Sequence, residues 1–141
     1  MNVELAEKVI AQILTEPERL DMTEWVGRYD PEWGDVGRAD GTLARLQADC
    51  GTRACIAGWV LMLAKPYARL HGDLIEIMGL TYSTESVAAQ ALGLGLPVAS
   101  YLFHQVGDDE AVMALKYLIG SPDATADDLH GFLQAARQDV A

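Results

Sequence analysis

Basic residues are scarce in this chain. Its 141 residues include 10 Lys and Arg against 21 Asp and Glu, a formal net charge of −11 and a pI near 4.4. Sequence-independent binding to DNA or RNA runs on phosphate neutralisation by cations, so direct nucleic-acid binding is disfavoured, as is an anionic membrane surface. Cysteine is scarce too: two residues are too few for a disulfide scaffold. Long apolar runs are missing. The most apolar stretch, Cys55 to Ala64, is about half of what a bilayer span requires. Met1-Asn2-Val3-Glu4 has neither the basic nor the apolar region of a signal peptide, and no lipidation motif is found. A cytosolic setting with reduced thiols is therefore expected. Catalytic fingerprints are absent as well: no P-loop, no dinucleotide-binding glycine pattern, no H-E-x-x-H and no G-x-S-x-G. The expectation is a non-enzyme without a cofactor.

What is present is core-forming material. Half of the residues are hydrophobic and 22% are charged, which suits one folded domain over residues 1–141 and not a disordered acidic tail. The charge is unevenly placed. Residues 1–50 hold 11 acids and 5 bases, net −6; residues 51–106 hold 3 and 3, net zero; residues 107–141 hold 7 and 2, net −5. A neutral middle between acidic ends reads as a core wrapped by solvated faces.

Hydrophobic periodicity points to helices. Val3, Ala6, Val9, Ile10, Ile13 and Leu14 recur at helical spacing up to Glu16-Pro17. Residues 27–41 carry five glycines and prolines among six charges and read as an irregular loop, pinned to the core by Trp25, Tyr29 and Trp33. Leu43 and Leu46 suggest a short helical turn. Thr52 is placed as the N-cap of an almost wholly apolar helix over about 53–65, the expected centre of the fold. Residues 70–80 fit helix or strand, with helix preferred from context. Ser83 or Thr84 starts a helix that stops at Gly93, and Pro97 opens another up to about His104. Two further helices follow, over about 109–119 and from Thr125 to the end. The expected fold is all-α: a single compact bundle of about six to seven helices around the helix at 53–65, with no confident strand.

Three motifs invite function. The helix-turn-helix-like hairpin at 84–104 has the glycine and apolar spacing of DNA-binding units. Its second helix, however, offers only Ser100, Tyr101, His104 and Gln105, and no Lys or Arg lies between Arg69 and Lys116. A packing hairpin is the favoured reading, and a DNA-binding regulator is the alternative. Cys50 and Cys55 could form a zinc pair, a nucleophilic thiol near a helix start or a disulfide. Packing of both cysteines in the core and the adjoining turn is the favoured reading. Finally, Glu16, Glu18, Asp21 and Glu24, with Asp108, Asp109 and Glu110, form two acidic patches. Charge at helix ends explains them without function; a binding surface is the functional alternative.

The segment C-G-T-R-A-C-I-A-G-W at Cys50–Trp59, with Ala89-Gln90-Ala91-Leu92-Gly93-Leu94 and Leu102-Phe103, resembles the signature of small proteins of actinobacteria and their phages that carry no assigned activity. The resemblance spans roughly residues 43–120 and implies a shared all-α fold in a bacterial or phage cytosol. It assigns no site residue. The leading expectation is a small acidic protein-binding module. In a phage or mobile-element setting this becomes an inhibitor or nucleic-acid mimic, whose partner is a host or phage protein with a basic nucleic-acid-binding groove. A homodimer is compatible with each reading.

Overall fold

The N-terminal helix α1, Val3–Thr15, begins where the Asn2 side chain accepts the Leu5 N–H at 3.1 Å. It buries the Leu5, Ala6, Val9, Ile10 and Ile13 stripe. A 3₁₀ turn, Pro17–Arg19, redirects the chain into sheet. The computed structural model describes every residue except Pro31, Trp33, Ala39 and Ala141, and describes residues 34–38 and 140 by backbone alone.

Among the described residues there are two antiparallel sheets and seven α-helices, so the all-α expectation, and the all-α fold implied by the resemblance, is overturned: the chain is mixed α and β. The first sheet has the order β2-β1-β4, from β1 (Val26–Asp30), β2 (Gly34–Arg38) and β4 (Thr52–Ala54). The second has the order β3-β5-β6-β7, from β3 (Gly41–Thr42), β5 (Arg69–His71), β6 (Leu74–Ile77) and β7 (Leu80–Ser83). The region expected to be a loop thus supplies β1 to β3, and residues 70–80 supply strand and not helix. These strands are two to five residues long, too short for a period-2 pattern to stand out from glycines and charges. The turn between β6 and β7 is Met78-Gly79, with φ of +52° and +82°. Positive φ at both positions is what a two-residue hairpin demands, and Met at the first of them hides the usual sequence cue.

The helix α2, Leu43–Ala48, lies between β3 and β4. The central helix α3, Ile56–Ala64, starts three residues later than expected. Thr52 is in β4 and caps nothing; its fully buried hydroxyl finds no hydrogen-bond partner among the described residues. Within α3, Ile56, Trp59, Val60, Leu61 and Met62 are at most 1% exposed. It packs against α1, α2 and the hairpin of α4 (Thr84–Leu92) and α5 (Leu96–His104). A 3₁₀ turn at Asp108–Glu110, α6 (Ala111–Gly120) and α7 (Ala126–Val140) complete the chain. Thr125 and Asp128 cap α7 reciprocally: the Thr125 hydroxyl accepts the Asp128 N–H at 3.1 Å and the Asp128 carboxylate accepts the Thr125 N–H at 2.9 Å. No single helix among the described residues is long and apolar enough to cross a membrane.

One buried cation ties the sheet to the helices. Arg19, 6% exposed, donates from Nε to the Thr52 carbonyl at 3.0 Å and from Nη2 to the carbonyls of Gln47 and Asp49 at 2.8 and 2.9 Å. Its Nη1 reaches Glu16 at 3.2 Å, and its guanidinium lies 4.9 Å over the Trp59 ring. Trp59 in turn donates its indole N–H to the Arg19 carbonyl at 3.2 Å.

Candidate functional site

The segment from Asp21 to Trp25 runs between the first 3₁₀ turn and β1, and local chemistry fixes its shape. The Asp21 carboxylate accepts the Thr23 N–H at 2.9 Å and also the Thr23 hydroxyl, an Asx turn. The Asp21 N–H donates to the Ala54 carbonyl, and the Cys55 N–H to the Glu24 carbonyl, both at 2.9 Å. A longer-range bond closes the other side: the Met22 N–H donates to Asp108 Oδ1 at 2.8 Å, across 86 positions.

Beside this segment lies a cleft of about 200 Å³. Its walls include Met22, Glu24, Trp25, Cys55, Asp73 and His104, drawn from the segment, the start of α3, the β5–β6 turn and the end of α5. Trp25 meets Phe103 and His104 edge-on, with ring centroids 6.2 and 5.2 Å apart. His104 lies 3.5 Å from the Glu85 carboxylate. With Asp73, His104 and Trp25 in its walls, the recess is polar with one aromatic wall, suited to a polar group and not to an apolar ligand.

The acidic residues singled out from sequence divide into two kinds. Glu18, Asp108 and Asp109 are exposed, and Asp21 and Glu24 are half-buried, Glu24 alone of the two lining the cleft. Glu16 and Glu110 serve the fold. Glu16 accepts from Gln12 at 2.9 Å and from Arg19; the Gln12 hydrogen bond, with a smaller effect from the Arg19 charge, lowers its pKa. Glu110 is 8% exposed and is gripped by a two-pronged Arg137 contact, Nη2 to Oε1 at 2.8 Å and Nε to Oε2, while the Gly107 N–H donates to Oε1 at 3.1 Å. The Arg137 hydrogen bonds hold the Glu110 carboxyl below the usual range. Arg137→Ala should therefore cost about 1–2 kcal/mol at pH 7, the half-exposed guanidinium keeping the figure modest. A depressed carboxyl stabilises the fold above its unfolded pKa and ceases to do so as pH falls through the folded one. Urea unfolding of wild type and Arg137→Ala should then differ at pH 7 and converge towards about pH 3.

The other sequence candidates are scattered. Cys55 is buried at the start of α3 as expected, but Cys50, expected to pack in the adjoining turn, is exposed after α2, and both are free. Desolvation pushes the Cys55 thiol up to about 12, so it is protonated at neutral pH and not a nucleophile. No three His, Cys, Asp or Glu side chains gather as metal ligands among the described residues. The histidines are apart: His71 is 3.2 Å from Glu76, His130 Nδ1 is 2.8 Å from the Tyr101 hydroxyl, and His104 lines the cleft. Of the side chains that α5 would offer to DNA, Tyr101 is thus tied to α7 and His104 to Glu85 and Trp25. Of the aromatic trio, Trp25 packs at the cleft, Tyr29 lies in β1 with the Arg53 guanidinium 3.7 Å over its ring, and Trp33 lies outside the described residues.

Sequence reading missed Arg19, Asp73 and His104 as partners of this region. Asp73 and His104 carry no local signal; they reach the cleft only through the β5–β6 turn and the α5 C-terminus. No protein-family model matches the chain, and no curated protein or solved structure is similar to it.

Proposed function

We propose that this chain is a non-enzymatic protein-binding module that presents an acidic face to a basic surface of another protein. The Met22 N–H to Asp108 bond supports this reading above all, because it brings the acid-rich stretches from the two ends of the sequence to one rim. Asp108 is bound to the segment at Met22, Asp109 follows it in sequence, Glu18 and Asp21 precede Met22 in sequence, and Glu24 and Asp73 line the recess. Such a face steers a cationic partner in and holds it best at low salt. A groove built for nucleic acid has the complementary charge, so an inhibitor or nucleic-acid mimic is the form of module proposed. The setting proposed is the cytosol of a bacterial host, with a host or phage protein as the partner, in keeping with the likeness of Cys50–Trp59 to actinobacterial and phage proteins.

The test is affinity capture on the immobilised chain, followed by binding measurements on the captured partner. Affinity should fall at least about tenfold between roughly 0.1 and 0.5 M salt, where screening shortens to a few ångströms. Added duplex DNA should release the partner. Asp108→Asn with Asp109→Asn keeps the acceptor for Met22 yet removes two charges, and should weaken binding about tenfold with an unchanged unfolding midpoint. Salt-independent affinity, or full binding by the double variant, would sink the proposal.

A further inference from the structure

The second sheet outruns the core that it covers. Directly paired residues share a face, so Leu70, Ile75 and Tyr82 lie on one side, together with Ile77 and Leu80. Leu70 and Ile75 are fully buried, but Tyr82 is 43% exposed, Leu80 62% and the turn residue Met78 94%. The apolar face therefore continues past the body of the protein to β7, the last strand of its sheet.

That edge is open for pairing. Ile77 and Leu80 flank a two-residue turn and so exchange both of their backbone hydrogen bonds. The same alternation reappears at the strand end, where the Thr84 N–H donates to the Asp73 carbonyl. Between these, Tyr82 also faces β6, and Thr81 turns its N–H and C=O outward. Natural sheets blunt such edges with charge, proline, bulges or very short strands. Among the described strands, β3 has two residues, β2 carries Asp35 and Arg38, and Leu20 bridges to β4. Residues 77–84 contain no charge and no proline.

We infer that β7 is a dimerisation edge that pairs antiparallel with β7 of a second copy, on a two-fold axis through Thr81. Two observations select this occupant. The first is register: centring on Thr81 sets Leu80 opposite the partner's Tyr82 and Tyr82 opposite the partner's Leu80, on the same apolar face. The two outward-facing Thr81 backbones then exchange both hydrogen bonds. An aliphatic–aromatic pair at close spacing and a Thr–Thr pair are favourable cross-strand combinations. The second is charge. A chain of net −11 repels its own copy over both acidic ends, whereas residues 77–84 carry no charge and Glu76, paired with Thr81, has Arg69 as its other cross-strand neighbour and His71 at 3.2 Å. The interface is distinct from the acidic face and does not depend on it.

A four-residue edge makes a contact smaller than the ~800 Å² per partner of a standard interface, and weak association, with dissociation on the order of 10 µM, is expected. Sedimentation velocity on the wild-type chain from roughly 1 to 500 µM should show monomer giving way to dimer around that value. Thr81→Pro removes only an outward N–H, and edge positions of this kind tolerate proline. Thr81→Lys sets like charges face to face. Both variants should stay monomeric throughout, with the wild-type circular dichroism spectrum. In a Cys50→Ser background, Thr81→Cys should form a disulfide-linked dimer under mild oxidation, because paired Cα atoms across the axis are within disulfide reach. Leu74→Cys, exposed but one strand inward, should not. A wild-type chain monomeric over the whole range, a dimer that Thr81→Pro and Thr81→Lys leave intact, or equal cross-linking through Leu74→Cys overturns the inference.

Discussion

Arg19→Met is expected to remove about 3–5 kcal/mol of stability, close to half of what a domain of this size usually possesses. Methionine replaces only the aliphatic stem of the side chain, so the guanidinium contact with the Trp59 ring goes as well. The main loss is the donor set. The carbonyls of Gln47, Asp49 and Thr52 would be left without their charged partner in a region where Arg19 is 6% exposed, and Glu16 would lose its counter-charge. Unmet buried acceptors cost more than a hydrogen bond returns when it is made. Arg19→Lys should recover only part of the loss, because an ammonium cannot reach three carbonyls spread around a planar fork. Urea unfolding at constant slope measures both variants. A loss below about 1 kcal/mol for Arg19→Met would show that Arg19 is not the tie between the sheet and the helices.

Gly58→Ala should be of similar size, at about 3 kcal/mol or more, with its origin in backbone contact. A Cβ at Gly58 would sit 1.8 Å from the Trp25 carbonyl oxygen and 2.7 Å from the Ala54 Cβ. Neither obstacle is the end of a flexible side chain, so no rotamer change relieves the clash. In an exposed helix the same substitution gains up to about 1 kcal/mol, and here that gain is outweighed. The contrast is Gly131→Ala in α7, where an added Cβ meets nothing within 4 Å; a gain of up to about 1 kcal/mol is expected there. The clash would also push Trp25 away from Phe103 and His104 and open the cleft, which its fluorescence should register. An unfolding midpoint for Gly58→Ala equal to wild type would mean that the segment ending at Trp25 shifts freely over α3, and the rigid recess at Trp25 would be lost with that result.

The helical part of the fold was legible because helices leave a long signal. Val3 to Leu14, the apolar run around Trp59 and the helix ending at Gly93 each carry several turns of periodicity or a local cap. The strands were not legible. Leu80–Ser83 is four residues long and wholly exposed, and β1 buries only its first two residues, so neither carries a period-2 pattern. Gly58 illustrates the limit further: a small residue in an apolar helix announces close packing, but only the fold shows that the neighbour is the Trp25 carbonyl.

Composition alone determined the electrostatics of this protein: the −11 charge, its concentration at the two ends and the neutral middle are properties of the sequence. The tertiary structure decided what that charge does. It spent Glu16 and Glu110 on Arg19 and Arg137, and it joined Asp108 to the Met22 backbone. It also turned part of the neutral middle into an open strand edge. The reason is one of range. Helix periodicity is set by residues three or four apart, whereas a hydrogen bond across 86 positions, or a bare sheet edge, exists only once distant segments have packed.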